Sequence, residues 1–239
     1  MHRRARHLNP KAAGAIQVLD SRFISGLSDG SAVTTWSDRS GKGYDMSQST
    51  AVSKPTYKTA IQGGQPILRF DGGDYMSSSF ETCGSHSSLA IFKRTGSATN
   101  PFGNATIVWA VGINGNSSAS ARLFQYAYND SVLASSLNAG AADMTFTRND
   151  NWNVHSTLAP FGSGTAEYRL NNGTASTASG TPLVSVTSPQ SVIGSASWSP
   201  GLYFVGDMAV AFIINSTVNS SLMRRLVQNY GYAFKIACS

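Results

Sequence analysis

The stretch Asp29–Gln48, DGSAVTTWSDRSGKGYDMSQ, decides how this chain is read. Val33, Thr34 and Thr35 are β-branched and lead into Trp36, so the run reads as the end of a strand that delivers a large ring to a core. Asp38, Ser40, Gly41 and Gly43 follow at once. The glycines permit backbone dihedrals that other residues resist, and the Asp and Ser side chains can hold neighbouring amides. A strand, a buried ring and a tight polar turn are framework features of a β-sandwich.

Working outward, the composition agrees. The 239 residues are 41% hydrophobic and 13% charged, with 23 Gly. A chain of this length supports one sizeable core, and its surface must be made largely of Ser, Thr, Asn and Gly, poor material for long surface helices. The expected organisation is a basic arm over residues 1–12 and one domain over residues 13–239. The net charge of +6 is concentrated in the opening MHRRARH. No aromatic residue alternates with these cations as a single-strand nucleic-acid platform requires. His2, Arg3, Arg4 and Arg6 are therefore expected to grip an acidic groove on a neighbouring protein, with nucleic acid excluded as partner.

The basic start continues as LNPKAAGAIQVLD, without the continuous apolar run of an export leader, and no segment reads as a membrane span. A secreted-style composition without such a leader is expected of a protein released by lysis, such as a phage-particle component. Cys83 and Cys238 are the only cysteines. No metal-binding spacing accompanies them, so free buried thiols are expected, with a disulfide between the two as the alternative.

Short apolar or alternating segments separated by Gly, Ser, Asn and Pro predict strands at Ile16–Asp20, Pro66–Phe70, Leu89–Lys93, Ile107–Val111, Leu123–Tyr128, Met144–Thr147, Val154–Leu158, Ala166–Leu170, Ser191–Ile193 and Asp207–Ile214. The last, DMAVAFII, is apolar on both faces after its first residue and belongs in the middle of a covered sheet. One helix is predicted at the C-terminal end. Leu222, Leu226, Tyr230 and Phe234 recur every four residues, Met223 and Val227 widen the stripe, Asn219 or Ser220 caps the start, and Arg224 and Arg225 face away.

Four landmarks occur in a telling order: the Trp–Asp–Ser–Gly turn after Trp36, the strand and turn Arg69-Phe70-Asp71-Gly72-Gly73, a hairpin at Asn172-Gly173, and the closing Gly206-Asp207 strand. In that order they resemble the laminin-G-like, concanavalin-A-like jelly-roll modules found in phage particle proteins and bacterial surface proteins, over nearly the whole chain after residue 10. The resemblance implies an all-β, two-sheet antiparallel jelly-roll sandwich. Where members commonly carry an acid in the closing strand, this chain has Val210.

That architecture hosts lectins, glycosidases and purely structural modules, so the residues must decide. A glycosidase needs two facing carboxylates, and Glu81 and Glu167 are the only glutamates. No nucleophile elbow occurs, and His86, in a polar loop, and His155, in a strand, lack an identifiable acid–base partner. Asp71, Asp74, Asp143 and Asp150 are calcium candidates, but each fits an ordinary turn, and no cofactor or metal is expected. Trp152 in RNDNWN and Trp198 in SASWSPG are the candidate glycan platforms, while Trp36 and Trp109 read as core.

The leading expectation is a non-enzymatic phage-particle subunit in the virion, assembled in the host cytoplasm. It would decorate the head, bound to the major capsid protein and to its own copies. The alternative is a glycan-binding adhesion module of a tail, fibre or cell surface, and third comes a divergent glycoside-acting enzyme.

Overall fold

The computed structural model describes residues 8–79, 85–96, 106–112, 122–128, 132–137, 142–147, 150–160, 165–178, 190–195 and 203–238, with strand paths alone between 106 and 147. In chain order these hold β1 (Ala15–Asp20), β2 (Thr35–Trp36), β3 (Met46–Ser47), β4 (Thr56–Gln62), β5 (Gln65–Asp71), β6 (Met76–Ser79), β7 (His86–Arg94) and β8 (Thr106–Gly112). They continue with β9 (Arg122–Tyr128), β10 (Val132–Leu137), β11 (Ala142–Thr147), β12 (Asn153–Ala159), β13 (Ala166–Leu170), β14 (Ser176–Ala178), β15 (Gln190–Ile193), β16 (Val205–Ile214) and α1 (Ser220–Ala233).

The strands make two sheets. The first runs β14-β13-β12-β7-β16-β5-β4 with β1 also paired to β16, and the second runs β11-β10-β9-β8-β15-β6-β3-β2. The described pairings are antiparallel. This is the all-β two-sheet sandwich with one short C-terminal helix that the sequence led us to expect.

Two apolar layers hold it together. Between the sheets, Trp36, Met46, Met76 and Ile193 of the second sheet meet Leu19, Leu68, Phe70, Phe92, Tyr168 and Met208 of the first. On the outer face of the first sheet, Val18, Ile67, Leu89, Ile91, Val154 and Phe212 lie under Met223, Leu226, Val227, Tyr230 and Phe234. Each such side chain is worth about 2 kcal/mol when fully buried. β16 supplies both layers, which is why DMAVAFII is apolar throughout, and its ladder to β7 shifts register between Met208 and Val210. Val210 is fully buried in the helix-covered layer, so a carboxylate there would lie beneath α1.

Asn219 caps α1, its side-chain oxygen accepting from the Leu222 amide at 2.8 Å and the Ser221 hydroxyl at 2.7 Å. Replacing it by alanine should cost about 1 kcal/mol, while Asn219→Ser keeps an acceptor and most of the stability. Urea midpoints of the three proteins check this. An alanine variant matching wild type would mean that packing alone fixes the helix start.

Three local readings change. The β13–β14 turn centres on Asn171 and Asn172, which carry the positive φ values of 50° and 67°, and the Gly173 amide closes it on the Leu170 carbonyl. The expected Asn172-Gly173 turn is thus displaced by one residue. Asn171 tolerates the left-handed backbone, and its side chain holds the Val154 amide at 2.8 Å, which fixes the register. β4 was not expected, because TYKTAIQ is half polar. Its signal was the following Gly63-Gly64, both at positive φ, the pair a two-residue hairpin favours. His86 opens β7 and is fully buried instead of lying in a loop.

Candidate functional site

The site residues named from sequence fall unevenly. His2, Arg3, Arg4, Arg6, Trp198, Cys83 and Glu81 lie outside the described residues, and the side chains of Trp109 and Asp143 do too. Trp152 is half-buried and packs on the helix-covered layer, which leaves only part of its ring to offer a ligand. Cys238 is a free thiol, and burial pushes its pKa up to about 11, so it is a poor nucleophile at neutral pH.

What the sequence did not single out is a cleft of about 280 Å³ where the chain leaves β1 and crosses toward β2. That volume sits at the lower end of small-molecule pockets. Asp20 ends β1 and caps the short turn Ser21–Phe23, accepting from the Arg22 amide at 3.1 Å. The Ser21 hydroxyl donates to the Pro66 carbonyl at 2.6 Å and pins the same turn to β5. Phe23 is thereby thrown outward, half exposed. Ile24 and Leu27 continue the apolar wall, Trp36 stands behind it, and the exposed side chains of Ser25, Thr34, Thr35 and Ser37 supply hydroxyls.

The opposite rim is tied down by backbone. Gly30 donates to Tyr57, Tyr57 to Ser31, and Val33 to Pro55, each at 2.8 Å. Asp29 adds the Lys58 ammonium and the Thr59 amide, and the Lys58 contact holds its carboxyl below the usual range. The cleft is therefore largely pre-formed.

Its electrostatics are set by two arginines. Among the described residues Asp20 is the one carboxylate lining the cleft, and it is buried and locked to Arg22, at 2.9 Å from Nε and 2.5 Å from Nη2. Arg22 in turn lies about 5.3 Å from the ring centres of Tyr230 and Phe234, so it staples the β1 exit to α1. Burial lowers and Asp20 raises its affinity for the proton, with the net shift upward. Arg39 stands 4.6 Å over Phe23.

Other carboxylates are also committed. Asp207 pairs with Arg69 at 2.7 Å and Glu167 with Arg169 at 2.9 Å. Asp74 accepts the Asp71 amide at 2.9 Å, and burial raises it to about 6. His155 is fully buried between the sheets, stacked 3.9 Å from Phe92 and 2.7 Å from the Tyr168 hydroxyl, and burial drives its pKa down to about 3. Among the described residues no three His, Cys, Asp or Glu side chains gather as a metal site, and no helix is long and apolar enough to cross a membrane.

A second, wider depression is lined by Gly63, Gln65, Lys235 and the almost fully exposed Tyr232. Among its described lining residues only Tyr232 carries a hydroxyl side chain.

No family model matches the chain, and no curated protein does. Solved structures do. The receptor binding domain of botulinum neurotoxin D superimposes with a TM-score of 0.64 at 11% identity, over 93% of this chain and 54% of that one. An α-L-arabinofuranosidase soaked with a cyclic sulfate inhibitor gives 0.63 at 9% identity, over 85% and 51%. Trypanosoma rangeli sialidase in complex with 2,3-difluorosialic acid gives 0.55 at 13%, over 90% and 33%. The chain spans about half the length of the first two and a third of the last. At these identities the likeness establishes a shared β-sandwich, jelly-roll-like fold.

Proposed function

We propose that this chain is a non-catalytic glycan-binding module acting at an extracellular or cell surface. The observation that carries the reading is the cleft beside β1, where a half-exposed Phe23 faces a row of Ser and Thr hydroxyls on a rim fixed by backbone hydrogen bonds. A sugar ring has an apolar face for the aromatic and hydroxyls for the polar wall, and a rigid rim lowers the ordering cost of binding. The structural neighbours support it, among them a botulinum neurotoxin D ligand binding domain in complex with N-acetylneuraminic acid. The absence of catalysis is supported by the state of the cleft carboxylate: Asp20 is already paired with the half-buried Arg22 and is poorly placed to move a proton.

The particle-subunit expectation drew on the family resemblance and the basic arm together, and residues 1–7 of that arm lie outside the described part of the chain, so the cleft carries the proposal. A glycan array probed with the intact chain tests it. Binding should appear and fall at least tenfold in Phe23→Ala, while Trp152→Ala and Tyr232→Ala retain it. An array without any bound glycan, or binding that Phe23→Ala leaves untouched, would sink this assignment.

A further inference from the structure

Beside the cleft, over its Phe23 wall, stands a cation that pairs with no carboxylate among the described residues. Arg39 is exposed, its backbone amide is anchored to the Val18 carbonyl at 2.8 Å, and its guanidinium lies over the Phe23 ring. Among the described residues it forms no ion pair.

The acids around it are hydrogen-bonded to other groups. Asp38 receives the amides of Val18, Ser40 and Tyr44, and Asp45 receives the amide of Asp38. Asp20, inside the cleft, is neutralised by Arg22. Lys11 folds over the same turn, its ammonium 2.8 Å from the position that a Cβ on Gly41 would occupy. Arg39 thus stands beside two carboxylates whose oxygens are engaged by backbone amides and not by its guanidinium, while the carboxylate that lines the cleft is paired with Arg22.

We infer that the cleft selects an acidic saccharide, with the sugar against the open part of Phe23 and its carboxylate or sulfate on Arg39. The inference rests on the saccharide reading above and adds the charge of the ligand. A guanidinium 4.6 Å over the ring, with no hydrogen bond or ion pair among the described residues, keeps N–H donors that match a planar oxyanion bidentately. Stacking also pre-orders a long side chain that would otherwise lose rotamer freedom on binding.

The test is calorimetric or NMR titration of the intact chain with galacturonic acid, N-acetylglucosamine 6-sulfate, and the neutral galactose and N-acetylglucosamine. At least one acidic sugar should bind about tenfold tighter than its neutral counterpart at low salt. Which acid gains names the group: galacturonate a carboxylate, the ester a sulfate. Arg39→Gln and Arg39→Ala should bring that sugar down to the neutral level, whereas Arg224→Ala, an exposed cation on α1, should not. Equal affinity for acidic and neutral sugars, or a preference that survives both Arg39 variants, overturns the acidic-saccharide inference and leaves saccharide binding standing. No binding by any of the four overturns both.

Discussion

Asp38→Ala should destabilise the protein by about 3 kcal/mol and lower its melting temperature by roughly 6–12 °C, although residue 38 is not in the core. One carboxylate organises the whole turn. Its Oδ1 accepts from the Val18 and Ser40 amides, each at 2.8 Å, and its Oδ2 accepts from the Tyr44 amide at 3.1 Å. The Ser40 hydroxyl lies 2.6 Å from Oδ2 and 3.0 Å from the Ile16 carbonyl, and its oxygen takes the Lys42 amide. Without the carboxylate the Val18 amide, in a buried strand, loses its partner, and such an orphan costs about 1–3 kcal/mol by itself. Asp38→Asn should fall between, because its amide group replaces one acceptor by a donor facing the Tyr44 amide. Chemical denaturation of the three proteins decides it. An alanine variant within 1 kcal/mol of wild type would show that Gly41 and Gly43 alone define the turn.

Acidification should destabilise the sandwich through His155, and the sign follows from its depressed pKa. Unfolded, the imidazole takes a proton near 6.5; folded, burial keeps it neutral down to about 3. The unfolded state therefore binds more protons across that window, and stability present above pH 6.5 is lost as the pH falls toward 3. Between pH 6.5 and 4 the loss from this one group is on the order of 3 kcal/mol.

Asp74 acts in the opposite direction. Its carboxyl is raised to about 6 by burial, so the folded state takes up its proton first and gains stability as the pH falls from about 6 toward the unfolded value. Wild type alone would blur the two. The informative comparison is the double variant His155→Phe/Tyr168→Phe, which keeps the stack on Phe92, removes both polar groups and leaves Asp74 intact. Its stability should decline less steeply between pH 6.5 and 4 by that amount. Parallel curves would mean that His155 charges inside the native protein.

Where the sequence was legible, a local rule and the packed structure asked for the same thing. DMAVAFII could be read as a covered central strand because β16 is sandwiched between the other sheet and α1. The stripe Leu222, Leu226, Tyr230 and Phe234 marked α1 for the same reason: its period matches the face that packs. β4 escaped because it is half exposed, with a residue at positive φ, Ala60, interrupting its ladder, so it shows no clean alternation.

The candidate site was less legible. Trp152 and Phe23 both sit beside polar residues in sequence, and only packing separates them. α1 and its layer take up much of the tryptophan, whereas the Asp20–Arg22 pair turns the chain so that the phenylalanine projects. Arg39 likewise read as one residue of a turn until the Val18 anchor set it over that ring.

Asp29–Gln48 by itself determined a β-sandwich framework, because β-branching before Trp36 and the Asp, Ser and Gly chemistry after it act within a few residues. Only the tertiary structure decided what that framework presents. Val18 and Tyr57 are distant in sequence from the loops they hold, and it is those long-range hydrogen bonds that assemble a cleft with an aromatic wall and hydroxyls, with the Arg39 guanidinium set over that wall.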